Sequence, residues 1–123
     1  MMKRALLALI IALAASPAFC GNILIPGYEV LHFKADSIEQ DVFFRNPEEN
    51  ECSFRMSITL PDGTLVWRSK DVLNPGEVFL KIDLERKLRH GIYLNALLRY
   101  ECRSLDGMYR MNGAEMRVTL DVK

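Results

Sequence analysis

The stretch CSFRMSITL at residues 52–60, followed by PDGT at 61–64, decides the fold. Cys52, Phe54, Met56, Ile58 and Leu60 alternate with Ser53, Arg55, Ser57 and Thr59. Period two is that of an extended strand, whose successive side chains point to opposite faces, so one face here is apolar and the other wet. A helix burying the same set would need apolar spacings of three and four. Pro61 presets φ and Gly63 tolerates positive φ, so 61–64 reads as a turn. Leu65, Val66 and Trp67 then resume an extended pattern, and the two runs predict a hairpin.

The same signal recurs outward in both directions. Upstream, Ile38, Gln40, Val42 and Phe44 alternate with Glu39, Asp41 and Phe43, and Asn46-Pro47-Glu48-Glu49-Asn50 closes that strand. Leu31 and Phe33 predict a shorter one. Downstream, Asn74-Pro75-Gly76 leads into Val78, Leu80, Ile82 and Leu84. Gly91 opens a strand whose apolar set is Ala96, Leu98, Tyr100 and Cys102, and the last strand sets Ala114, Met116, Val118, Leu120 and Val122 against Glu115, Arg117, Thr119 and Asp121. Residues 84–90 are expected to form the one helical turn. About seven antiparallel strands with regular turns predict an all-β chain, a β-sandwich. Pro75-Gly76 and the later Gly91-Ile92-Tyr93 resemble an element of immunoglobulin-like domains, in which a Pro-Gly turn opens one strand and Gly-x-Tyr starts the strand returning across the core. Tyr93 lies well before Cys102 and Trp67 lies after Cys52, so the expectation is an immunoglobulin-like sandwich that is not of antibody type.

Before the first strand lies a segment of different character. Met1-Met2-Lys3-Arg4 is basic, residues 5–15 are unbroken apolar, and Ser16-Pro17-Ala18-Phe19-Cys20-Gly21 offers small residues and a helix breaker. This order predicts a secretory signal over residues 1–20 and a single domain over 21–123. The apolar run is shorter than the roughly 18–20 residues that span a bilayer. Cleavage after Ala18 or after Cys20 fits the small-residue requirement. Lipidation at Cys20 and retention as an anchor, a membrane tether, are the competing fates. The expected location is extracellular or at the cell envelope.

The cysteines agree with export. Removal of residues 1–20 leaves Cys52 and Cys102, an even pair in an oxidising compartment. Each sits on its strand's apolar face, one at a start and one at an end, so antiparallel strands bring them together and a disulfide is expected. Buried free thiols are the alternative reading. No Cys-x-x-Cys spacing occurs, and two cysteines with His32 and His90 show no zinc spacing.

The whole chain carries 16 Lys and Arg against 16 Asp and Glu. Basic residues look scattered apart from Arg86-Lys87 with Arg89-His90, which reads as a solvated turn, and no nucleic-acid footprint is expected. His32 and His90 lack a serine, aspartate or cysteine partner in any recognisable motif, so no catalytic residue, metal or cofactor is expected. Glu48, Glu49, Glu51 and Asp41 match no calcium loop and read as a solvated turn. Ile23, Leu24 and Ile25 would either pack on their own domain or add to a partner's sheet.

Phe43, Phe79 and Leu97 fall opposite their strands' main apolar sets and are candidates for an exposed patch. Tyr109 and Arg110, within Met108-Tyr109-Arg110-Met111, have a composition favoured at interfaces. These five residues are the candidate partner-binding positions. They predict a non-enzymatic binding or structural module of the cell envelope with a protein partner. Carbohydrate or peptidoglycan binding is the alternative, with Trp67 and Tyr109 as its aromatic platform.

Residues 22–28 (NILIPGY), 46–52 (NPEENEC), 60–64 (LPDGT) and 112–115 (NGAE) together resemble an uncharacterised family of small exported or membrane-anchored β-sandwich proteins of gut Firmicutes. The resemblance spans nearly all of the expected mature chain. It implies an exported single domain and assigns no activity and no site residue.

Overall fold

The computed structural model describes residues 23–123. The expected signal over residues 1–20, with Cys20 and its cleavage points, lies outside the described residues. Seven strands follow in order: β1 Val30–Phe33, β2 Glu39–Arg45, β3 Cys52–Thr59, β4 Leu65–Arg68, β5 Val78–Asp83, β6 Gly91–Ser104 and β7 Arg110–Val122. They form a five-stranded sheet, β1-β7-β6-β3-β4, and a two-stranded sheet, β2-β5. The described chain is therefore all-β and sandwich-like, with no helix.

The alternation at 52–60 fixes the centre of the large sheet. β3 pairs antiparallel with β6 so that Phe54 faces Cys102, Met56 faces Tyr100 and Ile58 faces Leu98, all buried. Apolar faces therefore coincide across the pair, since a one-residue slip would turn every side chain to the other side. β7 extends the same face, with Leu98 opposite Met116 and Ala96 opposite Val118. The core lies between this face and Phe44, Phe79 and Ile82 of the small sheet. Trp67 joins the layers, its ring 5.5 Å from Phe44 and 6.1 Å from Phe79.

Three local expectations are corrected. β1 runs parallel to β7, not antiparallel. Residues 84–90 form no helical turn, because the Leu84 and Glu85 amides donate to Ile38 and Val66 carbonyls on other segments rather than within a turn. Finally, β2 takes three steps from Asp41 to Phe44 while β5 takes two from Lys81 to Phe79, a β-bulge. The bulge turns Phe79 inward onto Trp67 and leaves Val78 and Leu80 exposed, reversing their expected faces.

Two local features fix the course of the chain around the core. Asn50 is buried and clamps residue 24 through its amide: the Leu24 N–H donates to Oδ1 at 2.7 Å, and Nδ2 donates to the Leu24 carbonyl at 2.8 Å. Nδ2 of Asn50 also reaches Asn46 Oδ1, and Asn46 Nδ2 donates to the carbonyls of Cys52 and Leu73. The clamp seats Ile23 and Ile25 in the core, so this apolar segment packs on its own domain. Tyr100 adds a hydrogen bond to the Pro26 carbonyl, and burial pushes its hydroxyl well above the usual tyrosine range. The second feature is Gly113, at the bulge where β7 passes Tyr100 and Cys102; a Cβ there would fall on the Tyr100 carbonyl oxygen.

Asn50→Ala leaves the Leu24 amide and carbonyl without these partners and is expected to cost about 2–3 kcal/mol in urea unfolding. Gly113→Ala is expected to cost about 1–3 kcal/mol by backbone displacement. Gly27→Ala, whose Cβ would meet nothing within 4 Å, should be near neutral in the same assay.

Candidate functional site

The turn joining β6 to β7 is built by two short polar side chains. Gly107 takes φ 76°, the left-handed region glycine permits. Its N–H donates to the Ser104 carbonyl, and the Ser104 N–H donates to the Tyr109 carbonyl. The Asp106 carboxylate accepts from the Ser104 hydroxyl at 2.6 Å and from the Met108 N–H at 2.9 Å. Ser104 Oγ accepts in turn from the Tyr109 N–H at 3.0 Å. The Ser104 hydroxyl first, then the Met108 amide, hold the Asp106 carboxyl below the usual range.

This scaffold presents apolar side chains to solvent. Leu105, Met108 and Tyr109 are 58 %, 74 % and 58 % exposed. Arg103 and Arg110 face each other at the base of the hairpin. An ordered loop carrying Leu, Met and Tyr above two arginines can dock a partner with little ordering cost, since its backbone is already held. Met111, by contrast, is buried opposite Cys102 and belongs to the core.

The five candidate partner-binding residues do not share one surface. Tyr109 and Arg110 come together at the hairpin. Leu97 is half-buried on the outer side of the large sheet, between Thr59 and Arg117. Phe43 is 58 % exposed on the small sheet. Phe79 points into the core. Leu105 was missed because the alternation stops there, and its only sequence signal is its place before the Asp106-Gly107 turn.

The remaining candidates are placed as follows. His32 stands on the outer side of edge strand β1, its Nδ1 3.2 Å from Asp121 Oδ2, and it hydrogen-bonds to no serine, threonine or cysteine among the described residues. His90 is exposed just before β6. Asp41 pairs with Lys81 at 2.8 Å on β5, which separates it from Glu48, Glu49 and Glu51 in the loop beyond the other end of β2. Among the described residues no three His, Cys, Asp or Glu side chains could hold a metal ion. Trp67 is 3 % exposed. No described helix is long and apolar enough to cross a membrane.

Cys52 and Cys102 are both buried thiols 4.4 Å apart, not the expected disulfide. They meet diagonally, because Cys52 lies opposite Ser104 and Cys102 opposite Phe54. The neighbouring Cys102 thiol holds Cys52 below the usual thiol range, against burial, which acts the other way.

No protein-family model matches the chain, and no curated protein matches it.

Because the Asp106 carboxylate organises the turn, acid should loosen it. Its depressed pKa means the contribution is fully present above the unfolded value and is lost as pH falls through the folded one. The Met108 and Tyr109 amide resonances are expected to shift together in an acid titration, with a midpoint below the ordinary aspartate value of about 3.9. Asp106→Asn should abolish that transition.

Proposed function

We propose that the chain is an exported, non-enzymatic protein-binding module of the cell envelope on an immunoglobulin-like sandwich, with the β6–β7 hairpin as its anchor. The observation that carries this reading is the pre-ordered hairpin tip with Leu105, Met108 and Tyr109 exposed above Arg103 and Arg110. Aromatic, methionine and arginine side chains are the types enriched where proteins meet.

The strand arrangement supports the scaffold. In variable-type immunoglobulin domains the sheet containing strands G, F, C and C′ faces one containing B and E. Reading β2 to β7 as B, C, C′, E, F and G reproduces that division. The Tyr93 hydroxyl donates to the Arg89 carbonyl at 3.0 Å near the start of β6, the geometry of a tyrosine corner. The cysteines depart from the antibody pattern, since both lie in one sheet. Burial of Trp67 between Phe44 and Phe79 removes half of the aromatic platform on which carbohydrate binding would rest.

A photo-crosslinking residue at Tyr109 in exporting cells tests the anchor. A discrete protein adduct at Tyr109 that is absent with the same probe at Glu48 is the expected result. Adducts of equal yield at both positions, or none, would sink it.

In this reading the cysteines close after export. A disulfide-bearing oxidant takes the two thiol hydrogens and leaves as two thiols while the Cys52–Cys102 bond forms. Intact mass after export should be about 2 Da below the reduced value, and reduction should lower stability by about 2–4 kcal/mol in urea. An unchanged mass would refute the bridge.

A further inference from the structure

Strand pairing gathers six arginines onto one face. On the outer side of the five-stranded sheet β4 carries Arg68, β3 Arg55, β6 Arg99 and Arg103, and β7 Arg110 and Arg117. In the sequence these residues look scattered. In the sheet, Arg68 lies opposite Ser57, Ser57 opposite Arg99, and Arg103 opposite Arg110. Glu101, Glu115 and Asp121 are the acidic residues on the same side of these strands, and Asp121 lies far along β7 beside His32 and Lys123. No lysine occurs in the four strands.

These guanidinium groups are little engaged. The side chains of Arg68, Arg103 and Arg110 make no hydrogen bond or ion pair with any described residue. Arg55 and Arg117 each donate to one carbonyl, of Lys70 at 3.2 Å and Asn95 at 3.3 Å. Arg99 approaches Glu115 at 3.7 Å with both side chains more than half exposed, a pair of little strength. The arginines also line shallow hollows two at a time: Arg55 with Arg68 beside Glu101 in one of about 290 Å³, Arg99 with Arg110 beside Glu101 and Glu115 in one of about 410 Å³, and Arg55 with Arg103 beside Asp106 in one of about 440 Å³, the six arginines outnumbering these carboxylates over the face as a whole.

We propose that this face binds a linear polyanion that carries a phosphate group in each repeat and no aromatic ring. Charge complementarity selects an anion. The exclusive use of arginine selects an oxyanion that takes the planar fork through two oxygens. Two guanidinium groups per hollow suit the tetrahedral oxygens of phosphate, which can accept from separate directions. Several hollows across four strands suit a chain of repeated charges, because each contact after the first is made at high effective concentration. The exposed side of these strands bears no aromatic side chain, so neither base stacking nor the aromatic anchors of a protein interface are provided there. Arg103 and Arg110 are shared with the base of the hairpin anchor and Leu105 rims one hollow, whereas Arg55, Arg68, Arg99 and Arg117 lie outside that anchor, so variants at Arg55 and Arg68 test this face separately.

The test is fluorescence anisotropy of the exported protein with labelled inorganic polyphosphate, titrated between about 50 and 200 mM salt. Polyglutamate of matched charge is the comparison. Binding at least about tenfold tighter to polyphosphate is expected at equal charge, with the logarithm of affinity falling linearly against that of salt. The double variant Arg55→Ser, Arg68→Ser should weaken binding about tenfold or more and reduce the salt slope by about 1.4 through two lost phosphate contacts. Arg55→Lys, Arg68→Lys should weaken it several-fold at unchanged charge, whereas Lys87→Ser should change nothing. Circular dichroism confirms folding of each variant. Equal affinity for polyglutamate would assign the face to an acidic polypeptide and overturn the proposal, as would full affinity in either arginine double variant.

Discussion

Eight residue pairs between β3 and β6, from Cys52 opposite Ser104 to Thr59 opposite Leu97, set the position of nearly everything else. The register is enforced from inside. Phe54, Met56, Ile58, Leu98, Tyr100 and Cys102 are all buried, so a shift of one residue would expose the whole set. Because side chains alternate, that internal constraint also dictates the outside. It lines up Arg55 with Glu101 and Ser57 with Arg99, and it brings the two cysteines together on the diagonal. Core and surface are thus two consequences of one pairing.

Buried polar groups supply the rest of the definition. Asn46, Asn50 and Gln40 are enclosed, and each spends its amide on backbone groups of other segments. Gln40 bridges residues 34 and 37 much as Asn50 holds residue 24. An apolar residue at position 50 or 40 would leave backbone groups of residue 24 or residue 34 without these partners, so amide side chains there stand in for strand pairing. They let irregular segments cover the sandwich where two strands alone would leave the core open.

The surface divides by chemistry. The hairpin tip is small, ordered and apolar, whereas the outer side of the large sheet is broad, open and rich in arginine. A sandwich hosts many functions, so these surfaces carry the functional argument and the fold does not. Neither surface is an enclosed pocket with convergent acids, bases or nucleophiles.

The sequence by itself determined the strands and their number, because a period of two survives any arrangement of neighbours. Cys52 to Leu60 and Ala114 to Val122 were legible in that way, and so were the turns at Asp62-Gly63 and Asp106-Gly107, where local chemistry decides. Tyr109 and Arg110 could be picked out because Met108-Tyr109-Arg110-Met111 mixes the side-chain types favoured at interfaces. What a strand pairs with is not local, and there the tertiary structure decided. The parallel course of β1 beside β7, the inward turn of Phe79 at the β2 bulge and the use of Asn50 as a clamp each depend on a partner distant in the chain. The arginine face is the clearest case: its six members are spread from residue 55 to residue 117, and only hydrogen-bonded register makes them neighbours.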